Sequence, residues 1–314
     1  MAQSNGSDSI SKRFRGLIAP IPTVFDGTGE VDIPVMRELT NWYMDKGARG
    51  FFVLGSQGQG PACRSDQRKD VAETVLGEVN GSVPVVIQVG AVDPYTSMDL
   101  ATHAAKAGAD AIGMVGPYYY SDRNEWEIIE QHKQVAAVAP ETPMFLYNNP
   151  EYSGYPTTAE RMQTLRNEIP LVFGAKLAAG TIDQAKEYID VLGEEFNIFI
   201  PVNQLVEGMK IGVSGSIAAG PPVTMPEVGV ALVDAIQSGD EARATEIQNS
   251  MNEHGKRTKE LRQYGRAGTM VGLQIRGFAV KQYPRWKTKE MTAEHRALLE
   301  SSMKQVLDGI AVPA

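Results

Sequence analysis

The chain has a single cysteine, Cys63, among its 314 residues. An internal disulfide is therefore impossible, and a cysteine-based metal cluster is excluded. Histidines are also few. His103, His132, His254 and His295 form no HxxxH or HxH pair, so no zinc site is expected, and no cofactor either. No apolar run reaches the 18 residues of a membrane span. No basic run tracks a phosphate backbone, and a net charge of −8, with acidic residues spread along the chain, argues against nucleic acid as a partner. Residues 1–11 are rich in Ser, Gly and Asn and lack the apolar stretch of a secretory signal. They read as a disordered lead-in to a cytoplasmic protein.

What is present is a repeat. Hydrophobic residues make up 42% of the chain, ample for one large core. Short apolar runs alternate with amphipathic helical patterns, about one pair every 25 to 30 residues. The runs begin near Gly16, Gly50, Val83, Ala111, Met144, Leu171, Ile198 and Ser216. Asp32, and Thr157 or Thr158, stand where helix N-caps are needed. Eight strand–helix units predict an α/β fold, a (β/α)8 barrel over residues 12–225. Residues 226–314 then hold the last barrel helix and a C-terminal helical appendage, with helices over 241 to about 264, 269–281 and 292–309. An open nucleotide-binding sheet is the competitor. Its glycine fingerprint after the first strand is missing, because Pro20 and Pro22 lie there.

In such barrels the working groups sit at the C-terminal ends of the strands. Lys176 closes the apolar run Leu171–Lys176, and no other lysine ends such a run. Taken alone it is an ordinary solvated strand end. As the end of the sixth strand of eight it becomes a candidate nucleophile. An amine in a poorly solvated barrel mouth loses its proton more readily and can add to a carbonyl. Tyr147 ends the neighbouring strand, and a phenol both donates and accepts protons; the competing reading is an aromatic that fills space. Tyr119, in the run Tyr118-Tyr119-Tyr120, could relay a proton. The loop Gly55-Ser56-Gln57-Gly58-Gln59-Gly60 lacks the Lys-Ser/Thr of a nucleotide loop. It is either a tight turn or a small nest of N–H groups suited to a carboxylate. Cys63 nearby reads as packing, and Asn203 follows the seventh strand.

Four motifs, Gly55-Ser56-Gln57-Gly58-Gln59, Gly116-Pro117-Tyr118-Tyr119-Tyr120, Tyr147-Asn148-Asn149-Pro150 and Gly174-Ala175-Lys176, stand in the order and spacing of the dihydrodipicolinate synthase / N-acetylneuraminate lyase family. The resemblance spans roughly residues 12–310 and includes Gly215-Ser216-Ile217 at strand eight. It implies a class I aldolase barrel, assembled as a homotetramer, a dimer of dimers. It implies that Lys176 forms a Schiff base with pyruvate or another 2-oxo acid and that Tyr147 is the acid/base. Tyr119 resembles the relay tyrosine that crosses a subunit interface in the synthases. Ser56, Gln57, Gly58 and Ile217 fall among the implied substrate-binding positions.

The departures bear on the substrate. Gln57 and Gln59 replace the usual Thr and Glu, and Pro221-Pro222 replaces Ala-Asn after strand eight. The synthases carry an arginine five residues after the acid/base tyrosine. Here that position is Tyr152, and loss of a bidentate carboxylate clamp argues against aspartate semialdehyde. The stretch from Tyr147 to Gly154 resembles the hydratase-aldolases that cleave arylidene-pyruvates, with Tyr152 and Tyr155 lining an apolar pocket. The implied partners are a 2-oxo acid and an aldehyde. The alternatives are a 2-keto-3-deoxy sugar acid aldolase or dehydratase, dihydrodipicolinate synthase activity itself and, from another class, a non-catalytic binder of 2-oxo acids.

Overall fold

The computed structural model describes residues 10–120, 122–283 and 285–310. Within them eight parallel strands form one sheet: β1 (Gly16–Ile18), β2 (Phe51–Val53), β3 (Val85–Gln88), β4 (Ala111–Val115), β5 (Met144–Asn148), β6 (Val172–Leu177), β7 (Asn197–Phe199) and β8 (Gly215–Ile217). Each neighbours the next in sequence, and β8 pairs with β1. The remaining gap closes through a parallel bridge between Ala19 and Phe51, so the sheet is a (β/α)8 barrel.

The outer layer is made by α1 (Ile33–Asp45), α2 (Ser65–Val79), α3 (Pro94–Lys106), α4 (Glu125–Ala137), α5 (Ala159–Glu168), α6 (Ile182–Leu192), α7 (Leu205–Lys210) and α8 (Pro226–Gln237). Then come α9 (Glu241–Arg257), α10 (Ala267–Ile275) and α11 (Ala293–Ile310). The expected caps are realised. Asp32 accepts from the N–H of Val35, and Thr158, rather than Thr157, accepts from that of Arg161.

Several boundaries differ from those expected, each for a local reason. Regular pairing of the first strand stops at Ile18, because Pro20 and Pro22 have no N–H to give a ladder. The helix expected over 241–264 ends at Arg257. There Thr258 Oγ1 bonds back to the His254 carbonyl (2.8 Å), and the chain tightens into a 3₁₀ turn, Lys259–Tyr264. The helix expected over 269–281 runs instead over Ala267–Ile275 and is closed by Gly277 at φ +97°. The lead-in expected over 1–11 is also too long. Ile10 is buried, and the Asn197 amide donates to the carbonyls of Ser11 (3.0 Å) and Phe14 (2.6 Å). Residues 1–9 lie outside the described residues.

Two cores result. The larger one lies between strands and helices. The smaller fills the barrel and includes Phe14, Phe52, Phe145, Phe173 and Phe199. Phe14 enters the N-terminal end and meets Phe145, Phe173 and Phe199 at ring-centroid distances of 5.4, 6.0 and 5.1 Å. Above this plug the interior opens toward the C-terminal ends of the strands.

Candidate active site

The position of Lys176 is set by an irregularity in β6. Met144 pairs with Val172, but Phe145 pairs with Gly174, so Phe173 is an extra residue. Such a bulge shifts every later residue of its strand by one. It brings Lys176, and not Ala175, opposite Tyr147. Gly174 makes the bulge possible: a Cβ there would lie 2.6 Å from the Asn197 carbonyl oxygen and 2.7 Å from its Cβ. The strand also continues one residue beyond the expected end, so Lys176 is its penultimate residue. Ala175 and Leu177 pack outward in the larger core while the lysine reaches the cavity.

Lys176 Nζ lies 4.7 Å from the centroid of the Tyr147 ring. That ring is buried and stands edge-on to Phe52. Its hydroxyl is 3.2 Å from Ser56 Oγ and accepts from Asn149 Nδ2 at 3.0 Å. Burial pushes the phenol's pKa up. The Lys176 ammonium and the hydrogen bonds to Ser56, Asn149 and Lys176 together outweigh it, so the phenol sits below the ordinary tyrosine value. Asn149 was not singled out from the sequence. Its place two residues after Tyr147, inside a quoted motif, was the available signal.

The β2–α2 loop supplies Ser56 to the same cavity. Leu54 and Gln59 hold positive φ (62° and 54°), and Gly60 is obligatory because a Cβ would lie 2.0 Å from the Leu54 carbonyl oxygen. The carbonyl of Gly58 accepts from Thr23 Oγ1 at 2.6 Å. The backbone N–H groups of Gln57 and Gly58 have no acceptor among the described residues. The side chains behave otherwise than expected. Gln57 turns its amide to Thr269 Oγ1 on α10 (3.1 Å). Gly58 is buried against Leu54 and Ile21 and does not border the large cavity. Gln59 is buried, and its oxygen accepts from the N–H of Arg285 (3.0 Å). Cys63 packs with its thiol toward the Gln59 carbonyl, and burial pushes it up to about 11, so it is no nucleophile.

The cavity above Lys176 holds about 780 Å³. Phe52, Val202, Ile217 and Pro221 give its lining apolar patches, and Ser56, Gln57, Asn149 and Asn203 line it as well. Tyr152 is 47% exposed and borders both this cavity and a smaller one of about 300 Å³, which also touches Ser56 and Tyr147. Tyr119 lines only the smaller cavity. It is 81% exposed, at φ +79°, and makes no hydrogen bond to Tyr147 or Ser56 within the chain. Lys176, Tyr147, Ser56, Gln57, Tyr152 and Ile217 thus share the large cavity, and Tyr119 faces outward. Among the described residues no group of three or more His, Cys, Asp or Glu side chains could hold a metal ion, and no helix is long and apolar enough to cross a membrane.

Comparison with known proteins agrees with this fold. A profile of the Dihydrodipicolinate synthetase family matches residues 13–306. A 4-hydroxy-tetrahydrodipicolinate synthase of Brucella abortus is 30% identical over 76% of this chain and 80% of its own. A protein of Escherichia coli named probable 2-dehydro-3-deoxy-D-pentonate aldolase is 30% identical over the same shares, 76% and 80%. The solved sialic acid aldolase of Ruminococcus gnavus superposes with a TM-score of 0.88 at 26% identity, covering 95% of this chain and 98% of that one. The chain belongs to the dihydrodipicolinate synthetase family and is a lyase of its class I, Schiff-base aldolase type.

Proposed function

We propose that the chain makes or breaks a carbon–carbon bond between pyruvate and a weakly polar or aromatic aldehyde, through a Schiff base on Lys176. The observation that carries the reading is the Lys176–Tyr147 pair, with Nζ 4.7 Å from the ring centroid and the phenol held by Ser56 and Asn149. The neutral amine adds to the keto carbon of the 2-oxo acid. Tyr147 passes a proton to the carbinolamine hydroxyl, which leaves as water. The iminium then draws electrons from the adjacent carbon, so that a proton or an aldehyde can leave it. The enamine adds to an aldehyde in the reverse direction. Ser56 and the free N–H group of Gln57, both at the cavity, suit the pyruvate carboxylate. The amide nitrogen of Gln57 is engaged by Thr269, so this carboxylate site rests on one backbone N–H and one hydroxyl.

The apolar patches of Phe52, Val202, Ile217 and Pro221, with Tyr152 in place of the arginine the resemblance implies, support an apolar aldehyde end. Tyr119 completes a relay only by reaching a second copy, which is why the reading includes a homotetramer; sedimentation should give four times the 34.1 kDa chain. A polyhydroxylated aldehyde is the second reading. It is favoured by Asn203, Asn249 and Asn252, which line the cavity with side chains that bond to no other described residue.

The test is incubation with pyruvate and borohydride followed by intact-mass measurement. One reduced pyruvyl group is expected, and it should be absent in Lys176→Ala. No adduct, or one that survives that change, sinks the mechanism. Arylidene-pyruvates should then be turned over faster than aspartate semialdehyde; the opposite ranking refutes the substrate class.

A further inference from the structure

We infer that residues 259–266 form a recognition site for an anionic group at the far end of the aldehyde half of the substrate. This rests on the reading above and narrows it. Where α9 breaks at Thr258, the 3₁₀ turn carries the chain back over the barrel mouth. Lys259 and Arg262 line the cavity that holds Lys176. Arg266 lines the adjoining one and donates to the Tyr152 hydroxyl at 3.4 Å, and Tyr152 borders both.

The pairing of charges singles this segment out. Lys256, one turn earlier, is neutralised by Glu253 at 2.6 Å. Glu260, inside the segment, lies 3.7 Å from His295 Nε2. Lys259, Arg262 and Arg266 have no carboxylate partner among the described residues. Once the Glu253–Lys256 pair is set aside, Glu151 is the one acid left in the cavity lining, against Lys259 and Arg262. The mouth is therefore net positive before Arg266 is added. Phe52, Val202, Ile217 and Pro221 line the same cavity, so the ligand that fits is apolar over part of its length and anionic at its outer end. Two guanidinium forks suit a carboxylate, phosphate or sulfonate.

The test titrates 4-formylbenzoate and its methyl ester, by calorimetry at low salt, into untreated enzyme and into enzyme carrying a borohydride-reduced pyruvyl group. The acid should bind about tenfold more tightly than the ester, and the preference should shrink at high salt. Lys259→Ala/Arg262→Ala/Arg266→Ala should abolish it. Arg262→Gln alone should weaken it, and Arg262→Lys should retain it in part; melting curves report that each variant is folded. Equal binding, no binding of either compound at millimolar concentration, or a preference that survives the triple change overturns the inference. If the acid is preferred but pyruvate is never trapped, the Schiff-base reading falls and this site stands.

Discussion

The two ends of the barrel interior are built from the same strands and do opposite things. At the N-terminal end β5 and β6 contribute Phe145 and Phe173, which close on Phe14. At the C-terminal end the same strands contribute Tyr147 and Lys176, facing a cavity of about 780 Å³. The lower end is close-packed apolar surface, where the buried Asn197 donates its amide N–H groups to the Ser11 and Phe14 carbonyls. The upper end keeps a phenol shifted by a neighbouring cation and N–H groups without acceptors. Stability is concentrated below and chemistry above, and the bulge at Phe173 lies at the boundary. Substitutions at the two ends should therefore separate cleanly into effects on activity and effects on folding.

The largest effect expected is that of Lys176→Ala. Turnover should fall by about 10⁴-fold or more, while the melting temperature stays the same or rises, because a half-buried charge has been removed from a mouth that is not the core. Steady-state kinetics with a melting curve checks both halves; a large loss of stability would break the division. Phe14→Ala should do the reverse. It should cost about 3–5 kcal/mol in denaturant unfolding and leave turnover per folded molecule within about twofold. Tyr147→Phe keeps the ring beside Phe52 and removes only the hydroxyl, so turnover should fall by about 10²–10³-fold with little change in melting.

The smallest effect concerns pH. His132 and His254 are both held below the ordinary histidine value, burial being the main cause. A depressed folded value means that their contribution to stability is complete above about pH 6.5 and is lost as pH falls through the folded values. The melting temperature should therefore drop by about a few degrees between pH 7 and pH 5. His254→Gln, at the contact with Ser302 of α11, should flatten part of that drop.

Local pattern carried much of this architecture into the sequence. The apolar runs, the cap at Asp32, a cap at Thr157 or Thr158, and the lysine closing the sixth run all express short-range chemistry that can be read without coordinates. The features that escaped depend on contacts between distant residues. The bond from Gln57 to Thr269, 212 residues later, has no local signal. The bulge at Phe173 depends on Gly174 fitting against Asn197. Residues 259–264 looked like the end of a long helix, and only the break at Thr258 carries them back to the mouth. Ile10 was assigned to a polar tail because its partners lie inside the barrel.

The most direct test of the central claim is to locate the bond. The borohydride-reduced pyruvate adduct should be digested and its label mapped by tandem mass spectrometry. All of it should lie on Lys176, with none on Lys256 or Lys259 at the same cavity. Label on either rim lysine, or spread over several lysines, would contradict the placement of the nucleophile opposite Tyr147.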